Sequence, residues 1–305
     1  MKRKINLYWY KHKEGHGNFG DELNHYIVKR LTNLEVNHID IHWLKLDFIL
    51  FLKVITSSLI KNDLSLLKYF KYLYYYFVKK PNVLIGIGSV LGGVSSRNYI
   101  VWGSGIISRN DTFKNANFKA VRGKYSQKRI EELGYKPPKV IGDPALLLPL
   151  IYKPSQKKRY DVSIIPHFIH YDEYKNKIGS KFNIINLTDN IEHIIDQINQ
   201  SELTISTSLH GIIVSHAYGV KSIRAKDLQK KLTGDDIKFL DYYSSVNIEN
   251  YKPLDSNELF IKEKEELLNI VNSLYSSVLT PQKNKIVEIQ KKLIEVFPYK
   301  LKNKL

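Results

Sequence analysis

The chain has 305 residues and no cysteine, and its 47 Lys and Arg against 30 Asp and Glu give a formal charge of +17 at pH 7. That length allows one large domain or two of ordinary size, with a core that needs no covalent staples. Without cysteine there are no disulfides and no thiolate metal site, which suits a reducing compartment. The positive charge favours anionic partners, although the basic residues are spread along the chain.

The N-terminal Met1-Lys2-Arg3-Lys4 is basic like the start of a signal peptide, but the apolar run behind it covers only residues 5–10 and ends in Lys11-His12-Lys13. That run is too short for a signal core, so it is read as the first strand of a cytoplasmic protein. A glycine-rich loop follows at residues 15–21, and Asp21 is expected to cap a helix to about Leu31 with Leu23, Ile27 and Leu31 on one face. Residues 48–80 mix Tyr, Phe and Leu with Lys53, Lys61, Lys68, Lys71, Lys79 and Lys80. The lysines keep every segment below the roughly 20 apolar residues that span a bilayer. The stretch reads equally as a surface lying on an anionic membrane or as two core-packing helices with snorkelling lysines.

Short apolar runs at 83–87, 99–102, 120–121 and 139–141 each lead into glycine-containing loops, and a helix is expected from about 126 to 134. Strands that repeatedly end in such loops suggest a parallel sheet with ligands at its carboxyl edge. Residues 153–159, with Pro154 and a basic-polar run, read as a linker. Strands are expected again at 161–166, 182–187, 203–207 and 221–224, with helices at 191–200, 209–218, 263–274 and 284–296. The economical architecture is α/β: two Rossmann-like domains facing a cleft, at 1–155 (with a helical insertion at about 43–80) and 156–280, and a closing helix in 281–305.

Four segments carry candidate chemistry. In Thr207-Ser208-Leu209-His210-Gly211 a strand end turns into a helix, whose free N–H groups seat an anion. An imidazole there can exchange a proton near neutral pH, and Gly211 lets a ligand approach the backbone. An isolated histidine at a helix start also has a purely structural reading. Arg122, in Arg122-Gly123-Lys124-Tyr125-Ser126, can grip a phosphate or carboxylate through two parallel hydrogen bonds. Its place at a helix start opposes the helix dipole, which suggests an anion between them. Asn18 and Asp21, in Asn18-Phe19-Gly20-Asp21, can hydrogen-bond sugar hydroxyls, or simply form a turn and a cap. Gly142-Asp143-Pro144 reads as a structural turn, because Pro144 holds Asp143 out of helical geometry. There is no Walker loop, no complete dinucleotide fingerprint and no Gly-x-Ser-x-Gly elbow.

In order, Asn18-Phe19-Gly20-Asp21, Trp102-Gly103-Ser104-Gly105, Val121-Arg122-Gly123, Gly142-Asp143-Pro144 and Ser208-Leu209-His210-Gly211 resemble the polysaccharide pyruvyl transferase family, as does Lys238-Phe239-Leu240-Asp241-Tyr242-Tyr243 further on. The resemblance covers roughly residues 5–245. It implies a GT-B-like architecture, phosphoenolpyruvate as donor, and a sugar acceptor that becomes a cyclic pyruvate ketal with release of phosphate. It implies His210 as the general acid that protonates the methylene carbon. Phosphoenolpyruvate would meet Arg122, Lys238, Ser208, Gly211, Ser104 and Gly105, and the acceptor Asn18 and Asp21. Many members carry Arg where this chain has Ser208. With no cysteine and no nucleic-acid module in the sequence, neither a zinc site nor nucleic-acid binding is expected. The resemblance implies no cofactor beyond phosphoenolpyruvate as co-substrate, and a glycan acceptor that is lipid-linked in many relatives, with contact at the inner membrane face. The rival reading on the same architecture is a nucleotide-sugar glycosyltransferase; a basic glycan- or membrane-binding protein is the non-enzyme alternative.

Overall fold

The computed structural model describes residues 4–11, 17–39, 82–94, 96–154, 157–226 and 235–302. The aromatic–basic stretch at 48–80 lies outside the described residues.

Two parallel sheets organise the molecule. The first holds β1 (Lys4–Tyr8), β2 (Glu35–His38), β3 (Val83–Ile85), β4 (Tyr99–Trp102), β5 (Asn117–Val121) and β6 (Val140–Ile141), in the order β2-β1-β3-β4-β5-β6. The second holds β7 (Tyr160–Ile165), β8 (Asn183–Ile184), β9 (Ser201–Ser206), β10 (Lys221–Lys226) and β11 (Leu254–Asp255), in the order β11-β10-β9-β7-β8. Every pairing is parallel. Strands covered on both faces read as unbroken apolar runs, as in the fully buried Val83-Leu84-Ile85. Each sheet reverses its direction of growth once, between β1 and β3 and between β7 and β9. Such reversals splay the following loops apart and open a crevice at the carboxyl edge.

Helix α1 (Phe19–Thr32) starts three residues earlier than the sequence suggests. Asn18 takes the N-cap position, so Asp21 is not the cap but the third helical residue. An acid in that first turn still meets the positive end of the dipole. The helix buries Phe19, Leu23, Ile27, Val28 and Leu31 and also leans on the second half of the chain. Phe19 N–H donates to Leu187 O at 3.0 Å, and Tyr26 Oη to Glu192 Oε1 at 2.8 Å.

Following β5 comes α2 (Lys124–Glu132), and α3 (Leu148–Ile151) precedes the crossing into the second half. There α4 (Tyr171–Ile178), α5 (Ile191–Asn199), α6 (Leu209–Ala217), α7 (Ile237–Val246), α8 (Glu258–Ile261) and α9 (Lys264–Tyr275) follow in turn. Helix α6 is apolar nearly all round, with only His210 short of full burial, as expected of a helix wedged in the core. One continuous apolar core runs from β1 and α1 through residues 145–148 to β7, β9 and α6. Finally α10 (Lys283–Glu295) returns to the first sheet. Trp102 Nε1 donates to Leu293 O at 2.9 Å, Gln290 Nε2 donates to Leu146 O at 2.7 Å, and Phe297 packs on the Trp102 ring. No helix among the described residues is long and apolar enough to cross a membrane.

Candidate active site

The two crevices face each other across one cleft of about 520 Å³. Tyr10, Asn18, Asp21 and the Gly88-Ser89-Val90 loop line its first wall; His167, Phe168, Ser208, His210 and Lys238 line the second.

Ser208 is extended and caps α6, which puts His210 in the first helical turn. The turn is held from inside: Ser206 Oγ donates to Ser208 O at 2.9 Å and accepts from Ser208 N–H at 3.0 Å. The His210 ring reaches toward the first half of the chain, where Gly20 of α1 makes room for it. A Cβ on Gly20 would lie 2.1 Å from His210 Nδ1, a contact that real side chains do not make. On its other edge, His210 Nε2 faces Asp143 Oδ2 at 3.7 Å. Asp143 is wholly buried. Its Oδ1 accepts from Ala145 N–H at 2.9 Å, while Oδ2 and His210 Nε2 are buried without a hydrogen bond. Asp143 is therefore both the turn residue read from the sequence and the carboxylate that faces His210. Its position in a Gly-Asp-Pro loop at a strand end gave no hint of the second placement.

Asp21 lies on the opposite wall. Burial pushes its carboxyl up to about 6, against the attraction of His210 and the hydrogen bond from Asn18; the Glu22 charge adds to the rise. Lys238, in the first turn of α7, is pushed down to about 8, chiefly by burial and then by the Arg122 and Arg224 charges. The cleft thus brings together His210, Ser208, Lys238, Asn18 and Asp21 from the residues expected by sequence.

Four others stand behind its walls. Arg122 is completely buried. Its Nε donates to Asp241 Oδ2 at 3.1 Å, Nη1 to Ser89 Oγ at 2.6 Å and Nη2 to Ile106 O at 2.7 Å. The anion that its place at a helix start demands is thus supplied by the chain itself. Asp241 also accepts from Ser126 N–H at 2.9 Å and Ser126 Oγ at 2.6 Å. Gly123 permits this docking, since a Cβ there would overlap the Asp241 carbonyl oxygen at 1.7 Å. Ser104 is buried and donates to Gly88 O at 2.9 Å, holding the loop that forms the wall. Gly105 lies against the Arg122 guanidinium, and Gly211 against Ser206 Oγ and Ile165; neither has space for a side chain. Sequence reasoning missed Ser89, the cleft residue that Arg122 holds, and His167, which follows Pro166 at the end of β7. The rule that ligands gather at carboxyl edges would have flagged both.

A family model for polysaccharide pyruvyl transferase matches residues 18–224. The chain is also 29% identical over 174 residues to the uncharacterized protein L143 of Acanthamoeba polyphaga mimivirus. That alignment covers 53% of this chain and 60% of the viral protein, so the chain spans about three fifths of that relative's length.

Proposed function

The chain belongs to the polysaccharide pyruvyl transferase family, and from that premise we propose that it moves the enolpyruvyl group of phosphoenolpyruvate onto a sugar of a polysaccharide or its precursor, forming a pyruvate ketal and releasing phosphate. The observation that carries this reading is the pairing of His210 with buried Asp143 at the meeting point of two carboxyl-edge crevices. Addition to an enol ether begins with a proton delivered to its methylene carbon, which calls for a general acid of this kind. Asp143 balances the imidazolium in a setting where an unpaired charge would be costly. Lys238, Ser208 and the N–H groups of the first turn of α6 supply positive or donating groups for a carboxylate and a phosphate. Arg122, Ser104, Gly105 and Gly211 act from behind, holding the loops that carry Ser89, Gly88 and His210. Asn18 meets acceptor hydroxyls. Two Rossmann-like halves around such a cleft support a GT-B-like reading of the architecture.

Ligand-dependent melting tests the donor. Phosphoenolpyruvate at a hundred times its Kd stabilises a one-site binder by about 2.7 kcal/mol. A rise in Tm with a nucleoside diphosphate and none with phosphoenolpyruvate would instead favour a nucleotide-sugar glycosyltransferase. For a membrane-borne acceptor, each Lys of residues 48–80 near an anionic surface adds about 1 kcal/mol of attraction. Work at the inner membrane face then requires sedimentation with anionic vesicles that weakens with salt, and more so when Lys68, Lys71, Lys79 and Lys80 are changed to Gln.

A further inference from the structure

We propose that Asp21 is a second proton carrier of the reaction, the base that takes the proton of the first acceptor hydroxyl while His210 serves the methylene carbon and the second hydroxyl. The inference rests on the pyruvyl transfer reading above and assigns a chemical role to a residue that the sequence offered as a helix cap or an acceptor contact.

The chemistry sets the requirement. A ketal forms on two hydroxyls, so two protons must leave oxygen, while one proton must reach carbon. His210 as imidazolium gives its proton to C3 of the enolpyruvyl group, leaving an oxocarbenium at C2. The first hydroxyl oxygen bonds to C2 and its proton passes to the Asp21 carboxylate. The C2–O bond to phosphate then breaks, the electron pair leaves with phosphate, and Asp21 passes its proton to that leaving group. The second hydroxyl bonds to C2 and its proton restores the His210 imidazolium. Both hydroxyl protons are thus accounted for, one as the third methyl hydrogen and one on phosphate, and both side chains return to their starting state.

The geometry supplies the two carriers on opposite walls. Asp21 sits in the first turn of α1 and His210 in the first turn of α6, and both line the same cleft. The two turns touch, because Gly20 lies directly against the imidazole at Nδ1. His210 keeps its other nitrogen toward Asp143, so Asp21 is a carboxyl distinct from the one that balances the imidazolium. The charged and titratable groups around Asp21 are His210 and Glu22, with Lys238 and His167 across the cleft. Burial gives this carboxyl the affinity a carrier needs, since a base works best when its pKa lies near the working pH; Asp21 is held at about 6.

The test compares wild type, Asp21→Asn and Asp21→Glu. Phosphate release from phosphoenolpyruvate is followed with a panel of methyl glycosides that carry free hydroxyl pairs. Asp21→Asn should lower kcat by about 10²–10⁴-fold, leave the melting shift with phosphoenolpyruvate in place and remove the acidic limb of the pH–rate profile; Asp21→Glu should restore part of the rate. An Asn variant within a few-fold of wild type, or one that keeps that limb, would overturn the assignment. Wild type that releases no phosphate with any glycoside would overturn the transferase reading instead. A separate measurement then still decides for Asp21: in ¹³C spectra of Asp-labelled protein, a carboxyl titrating well above the ordinary aspartate range must be present in wild type and missing in Asp21→Asn. If wild type has no such resonance, the proposal fails whatever the acceptor.

Discussion

Two charged clusters link the halves of the chain, and they are built in opposite ways. Around Arg122, each named donor meets an acceptor: Asp241, Ser89 and Ile106 take the guanidinium, and Ser126 fills the rest of the Asp241 carboxylate. Around His210, two buried polar atoms face each other at 3.7 Å and make no hydrogen bond. A saturated ion pair resists change because removing either partner strands a buried charge and several hydrogen-bonding groups with it. The His210–Asp143 pair is held by fewer bonds, so less is stranded when it is broken. The contrast separates a saturated link between the halves from an unsaturated one, even though both residues lie in family motifs.

The comparison breaks first on activity. His210→Ala should cost about 10²–10⁴-fold in phosphate release with a smaller loss of Tm than breaking the Arg122 cluster causes. A folded variant that keeps most of its turnover would remove His210 from the chemistry. On stability the opposite cluster should dominate: Arg122→Met or Asp241→Asn should cost about 3–5 kcal/mol in chemical denaturation, since one member is left buried and alone. The double change Arg122→Met with Asp241→Leu should recover much of that loss. Asp143→Asn sharpens the same contrast by lowering turnover while moving Tm less than Asp241→Asn does. If the two Asp variants lose equal stability, the division drawn here fails.

Smaller effects follow from pH and volume. Asp21 is raised in the folded state, so its contribution to stability is full below its ordinary value near 3.8 and is lost as pH rises through about 6. Asp21→Asn should therefore gain on wild type between those values, by on the order of 2–3 kcal/mol above pH 7. Equilibrium unfolding at pH 4 and pH 8 measures this; a constant difference would mean that the carboxyl is not held in the protonated form by the fold. Gly20→Ala, which presses on the imidazole, should cost about 1–3 kcal/mol and slow turnover, whereas Gly134→Ala, with open space around it, should leave turnover unchanged.

What the sequence revealed follows from which signals are local. Strand–glycine–helix punctuation is local, and it led to nearly every strand and to His210 at the head of α6. The short edge strand β2, with alternating half-exposed residues, carried no such signal. Arg122 shows the other limit. Its position against the helix dipole correctly called for an anion, but the partner lies 119 residues away. Nothing in one sequence distinguishes a carboxylate of the chain from a ligand. Asp143 was hidden for the same reason, since proximity to His210 exists only once two sheets meet. Asp21 is not the helix cap because the cap position falls three residues earlier, at Asn18, whose side chain makes no capping hydrogen bond.

Helix α10 belongs in space to the first sheet and in sequence to the end of the described chain. Trp102 and Leu146 find partners at Leu293, Phe297 and Gln290, and Leu31 O accepts from Lys302 N–H at 2.9 Å. During synthesis at about 5–20 residues per second, the first sheet is thus made early but leaves the indole of Trp102 bare until nearly two hundred further residues have emerged. The core is continuous and includes Ile286, Ile289 and Leu293 of α10, so a ribosome stalled before residue 283 would present an unfinished apolar face to chaperones.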